Sequence, residues 1–137
     1  MYLALVVALI AGAFVLALPH LRQRAESVSC GNQMASIALV ARFWAEDHDH
    51  YLPTNFLCLS NELSTPRLLT CPSDHASPQA VDWSSFGTAN SSYEIVSPRV
   101  VESDTNSVFF RCKVHGHLGY GDGTVFDGKR RRTKVFW

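Results

Sequence analysis

The run 108-VFFRCKVHGHLGYGDGTVFDG-128 places one cysteine, two histidines and two aspartates among closely spaced glycines. Such a run reads either as a Cys/His site or as a tightly turned β-hairpin carrying a structural thiol. Val108, Phe109 and Phe110 favour extended backbone, and strands are predicted over 107–114 and 117–126, with a third over 133–137. Gly116, Gly119, Gly121, Gly123 and Gly128 are expected to supply the positive-φ positions of turns and bulges. In a strand over 107–114, Cys112 and Val114 would face one side and Arg111 and Lys113 the other. The hairpin reading therefore makes the C-terminal part a small antiparallel sheet.

Upstream, residues 54–106 are rich in Ser, Thr, Asn and Pro, with short apolar pieces at 67–70 and 93–96, and read as loops with a short helix near 59–63 and one or two short strands. The N-terminal half is helical. Met34, Ile37, Ala38, Ala41, Trp44 and Ala45 recur at three-and-four spacing, and Pro53 ends the pattern. The first 18 residues, MYLALVVALIAGAFVLAL, carry no charge, a length that suits a retained membrane or filament helix, with a cleaved signal peptide or a buried core helix as the alternatives. Pro19 is expected to kink the axis. A helix of about 45 residues would be roughly 70 Å long, so its first half must pack against lipid or other subunits. The fold class predicted is α+β, a long N-terminal helix on a small antiparallel sheet with a loop-rich middle. Residues 1–24 form the apolar transmembrane or filament-core half of the helix, 25–52 its amphipathic half, and 53–137 a small β-rich domain. Leu3, Leu5, Val6, Leu9, Ile10, Phe14, Leu16 and Pro19 mark the membrane or filament segment.

Charge and cysteine usage bear on location. Lys129, Arg130, Arg131, Arg132 and Lys134 take five of the twelve basic residues, leaving seven against twelve acidic ones elsewhere. The cluster reads as a solvated, edge-protecting tail, with polyanion or DNA contact as the alternative. Arg22 and Arg24, just after the apolar run, would by the positive-inside rule keep the following domain in the cytoplasm. The even number of cysteines argues for an oxidising compartment instead. Cys30, Cys58, Cys71 and Cys112 contain no C-x-x-C pair. A Cys71–Cys112 disulfide would tie the loop-rich middle to the sheet, while Cys30 reads as a packed thiol and Cys58 as free or paired with it. Zinc on Cys112, His115 and His117, completed by Cys71, His75 or a carboxylate, is the competing reading. Calcium on 46-EDHDH-50 or on Asp74, Asp122 and Asp127 is another, without a D-x-D-x-D-G loop to support it. Neither metal is assigned as a cofactor. No nucleophile elbow or phosphate-cradling loop is present, and the chain reads as non-enzymatic.

Four segments in order resemble a known group: Cys30-Gly-Asn32-Gln33; Phe43-Trp-Ala-Glu-Asp47-His48 with Pro53; Cys71-Pro-Ser-Asp74; and His115-Gly116 followed by Asp122-Gly123-Thr124-Val125. Together with the apolar helix they are similar to type IV pilin-like, or type II secretion pseudopilin-like, proteins of the Planctomycetes and Verrucomicrobia kind. The resemblance implies a structural subunit whose helices bundle in a filament core while the β domain faces outward. It implies other pilin-like subunits, an inner membrane and assembly machinery as partners. It also implies a single-pass inner-membrane stage, with the C-terminal domain periplasmic, before assembly. In that family a basic leader is removed after a glycine and the mature helix carries a glutamate at its fifth position. Counting back from Pro19 puts Tyr2 about there. A misassigned start, a trimmed chain or a tip-type minor subunit each accounts for the departure. A membrane-anchored metal-binding or Cys/His domain, and a secreted polyanion-binding domain, are the alternatives.

Overall fold

The computed structural model describes residues 2–129 and 131–132, and only the backbone of residues 2–5, 8–11, 131 and 132. One α-helix, α1, runs unbroken from Tyr2 to Glu46 with Pro19 inside it. Its second half is amphipathic, as the spacing requires. Cys30, Met34, Ile37, Ala38, Ala41 and Ala45 are fully or almost fully buried, while Trp44 is half-buried at the margin. The helix ends where Asp49 and His50 adopt positive φ, 54° and 62°, and the His50 amide returns to the Ala45 carbonyl at 2.9 Å. This reversal sends Tyr51 back to bridge Val101.

The loop-rich middle is held by two short 3-10 helices that pack on α1. Phe56–Leu59 is capped by Asn55 and Pro66–Leu69 by Thr65, each cap side chain accepting a backbone N–H. Both bury an aromatic or aliphatic side chain: Phe56 and Leu59 from the first, Leu69 from the second. The predicted short helix thus lies at 56–59, slightly before 59–63.

Five antiparallel strands follow among the described residues, in spatial order β1-β2-β3-β4-β5. They are β1 Tyr93–Ile95, β2 Val108–Cys112, β3 Leu118–Tyr120, β4 Val125–Phe126 and β5 Arg131–Arg132. β2 is the long one. Its register with β3 shifts between Val108 and Phe110, which leaves Phe109 extra, and both phenylalanines are buried. Alternation then resumes, with Arg111 exposed and Cys112 buried. The strand stops there, so Val114 is 44% exposed instead of sharing the face of Cys112. The core is an aromatic cluster, Phe56, Tyr93 and Phe109 each meeting Phe110 edge-on, against α1.

Only some of the glycines act as expected. Gly116, Gly123 and Gly128 have positive φ. Gly119 and Gly121 are needed for close approach: a Cβ on Gly119 would stand 2.3 Å from the Phe110 ring, and one on Gly121 2.7 Å from the Val101 carbonyl oxygen. The strand predicted at 133–137 lies outside the described residues.

The membrane reading is corrected. Among the described residues no helix is long and apolar enough to cross a membrane. The uncharged stretch of α1 ends at Pro19. His20, Arg22, Arg24 and Glu26 follow at once. This overturns the transmembrane assignment of 1–24 and, with it, the single-pass inner-membrane location with a periplasmic C-terminal domain.

Candidate metal centre

Three cysteines and one histidine converge where the helix, the middle loops and the sheet meet. Cys30 lies one turn before Met34 on the buried face of α1. Cys71 follows the Pro66–Leu69 helix, and its N–H donates to Ser92 Oγ at 2.8 Å. Cys112 ends β2, and its N–H donates to the His117 carbonyl at 2.9 Å. Beyond it a tight turn closes: the Gly116 N–H reaches the Cys112 carbonyl at 2.9 Å, with Gly116 at φ 69°. That turn brings His115 back over Cys112. The three sulfurs and one His115 ring nitrogen all lie within 4.8 Å of one another. The cysteines are buried free thiols, and His115 is half-buried.

Each sulfur also faces a donor. The Tyr93 hydroxyl stands 3.6 Å from Cys30 Sγ, the Ser73 backbone N–H points at Cys71 Sγ, and the His115 N–H meets Cys112 Sγ at 3.4 Å. These donors stabilise negative sulfur. The thiols do not share the charge equally. Cys112 is brought down to about 5, chiefly by a hydrogen bond from Cys30, with the backbone N–H groups of His115 and Val114 adding to it against burial. Cys30 is pushed far up by that same pairing and by burial, and Cys71 rises to about 11 through burial.

The orientation of His115 is set from behind. Ser73 Oγ–H donates to Glu26 Oε2 at 2.8 Å, so Ser73 Oγ is left to accept from His115 Nε2–H at 3.3 Å. Nδ1, 3.3 Å from Cys71 Sγ, is then the nitrogen with a free lone pair. Arg22 steadies Glu26 at 2.9 Å, and Ser73 followed by Arg22 holds the Glu26 carboxyl below its usual range.

The sequence-predicted residues divide accordingly. Cys71 and Cys112 are brought together, as thiols joined by Cys30 and His115. Cys112-x-x-His115 does form a pair of donors, but its complement is Cys30 and Cys71, not His75 or a carboxylate. His117 turns aside, with Nε2 3.2 Å from Ser27 Oγ and its ring stacked on His115 at 5.1 Å. Cys30 is the donor that sequence reasoning set aside. Its signal was present in the register, since it falls four residues before Met34 on the predicted buried stripe. Cys58 stays apart, its Sγ 3.6 Å from Asn55 Oδ1.

Calcium finds no such convergence among the described residues. In 46-EDHDH-50, His50 Nδ1 pairs with Glu102 at 2.6 Å and His48 stacks on Trp44. Asp74 accepts from Ala76, Ser77 and Ser92, Asp122 from Thr124, and Asp127 from Lys129, so each aspartate serves its own turn. Of the basic tail, Lys129 is exposed beside His20, Arg24 and Asp127 around a cavity of about 480 Å³. Arg130 and Lys134, and the side chains of Arg131 and Arg132, lie outside the described residues. So do the side chains of Leu3, Leu5, Leu9 and Ile10.

No protein-family model matches the chain, and no curated protein or solved structure matches it either.

Proposed function

We propose that the chain is a non-enzymatic, pilin-like subunit of a pilus-like filament, assembled through the N-terminal half of α1 against the same segment of other copies. The observation that carries this reading is the division of one helix into two environments. From Cys30 to Ala45 its apolar stripe is covered by the chain's own sheet and loops. Before that, Val7, Phe14, Val15, Leu16 and Leu21 are each more than half exposed. So many exposed large apolar side chains on one helix need a cover. Burial at about 25 cal/mol per Å² would make its coverage a strong driving force for assembly. The resemblance of the four motif segments to those of pilin-like proteins supports a helical bundle as that cover.

The test is electron microscopy and sedimentation of the full chain beside Phe14→Asp. Filaments from the native chain, and dispersed, folded subunits from Phe14→Asp, are the expected result. A monodisperse native chain, or filaments that survive Phe14→Asp, would overturn the proposal.

A further inference from the structure

We infer that Cys30, Cys71, Cys112 and His115 bind one zinc ion as a closed structural site that pins the helix to the sheet. The donor set is three sulfurs and one imidazole nitrogen, which suits tetrahedral zinc in a site without an open position. Ideal Zn–S and Zn–N bonds in a tetrahedral site place neighbouring donors about 3.5 to 3.8 Å apart. The 3.3 Å separation of Cys71 Sγ from His115 Nδ1 is already close to that, and the widest pair, at no more than 4.8 Å, needs a contraction of about 1 Å. On binding, the ion displaces the thiol protons and takes up the lone pair of Nδ1.

Three features distinguish this arrangement from a pocket of packed thiols. Each sulfur faces its own N–H or O–H donor, as metal-bound thiolates require and packed thiols do not. His115 is presented in the ligating tautomer by a relay through Ser73 to Glu26, the outer-shell carboxylate arrangement that orients metal-bound histidines. The donors also come from three separate segments, so one ion would join α1, the loop after the Pro66–Leu69 helix, and the end of β2. A Cys71–Cys112 disulfide would use two donors and leave Cys30 and His115 with no role in the cluster.

The experiment is metal analysis and X-ray absorption on the full chain purified with a thiol reductant, with Co²⁺ exchange as a second readout. One zinc per chain, a first shell of three sulfurs and one nitrogen, and a tetrahedral Co²⁺–thiolate spectrum are expected. Cys58→Ser should keep all three signatures, and His115→Cys should keep the ion with a four-sulfur shell. A folded chain with well under one zinc that takes up no Co²⁺ would overturn the inference. So would a Cys71–Cys112 disulfide in protein isolated from its own cells without added oxidant. The result on the native chain decides the matter even if a ligand variant fails to fold, and it is independent of whether filaments form.

Discussion

Cys71 Sγ lies 3.3 Å from His115 Nδ1, across 44 positions of sequence, and Ser73 holds the far side of the same imidazole. The Cys-Pro-Ser-Asp segment therefore works as a unit. Its cysteine is a donor of the cluster, its serine orients the histidine, and its aspartate ties the turn to Ser92.

The cysteines should separate sharply in energetic weight. In the Phe14→Asp background, where unfolding is not coupled to assembly, Cys30→Ser is expected to lose zinc and more than about 3 kcal/mol of stability. Cys58→Ser should stay within about 0.5 kcal/mol. Denaturant titration with parallel metal analysis provides the comparison.

Ser73→Ala should weaken the zinc site without abolishing it. Loss of the Nε2 partner is expected to lower affinity by about 10-fold or more, since outer-shell partners typically contribute 10- to 100-fold. Competition with a chromophoric chelator reads this directly, with stoichiometry unchanged.

Acid should act through Asp74. Its carboxyl is held below its ordinary value, chiefly by the Ser92 hydroxyl and then by donors from Ser77 and Ala76. A folded pKa below the unfolded one means stability that is fully present above about pH 4 and lost as pH falls further. Asp74→Asn should therefore cost about 1 to 2 kcal/mol at pH 7 and progressively less in acid. Urea midpoints of the two proteins, compared from pH 7 down to pH 3, test the convergence.

Two glycines should respond to alanine for different reasons. Gly121→Ala would push a methyl against the Val101 and Asp104 carbonyls, at 2.7 and 2.8 Å, and is expected to cost about 3 kcal/mol. Gly128 has open space around it but φ at 84°, so Gly128→Ala should cost only about 1 kcal/mol of backbone strain. Thermal melts rank the pair.

Assembly should depend on the stem and not on charge in general. Leu16, 74% exposed, should behave like Phe14 when changed to Asp, whereas Ser36→Asp on the exposed side of the covered half should leave filaments intact. Sedimentation of both variants at equal concentration distinguishes them.

Elements governed by local rules were legible in the sequence. The buried stripe of α1, its end before Pro53, and the β character of 108–112 follow from spacing and backbone preference, which act over a few residues. Gly119 was assigned to turn geometry because a sequence does not show that Phe110 lies across it. The apolar run at the N-terminus suggested a membrane helix, and the described residues do not support that.

The cluster required the fold. Sequence alone determined that Cys112 and His115 stand three positions apart after a strand, and that Cys30 shares a helix face with Met34. Tertiary structure alone decided that Cys30 and Cys71, from the helix and the loops, would complete the donors, and that His117 would turn toward Ser27. Side-chain periodicity encodes which face of an element is buried. Which buried faces meet is set by the packing of the whole core, where residues tens of positions apart become neighbours.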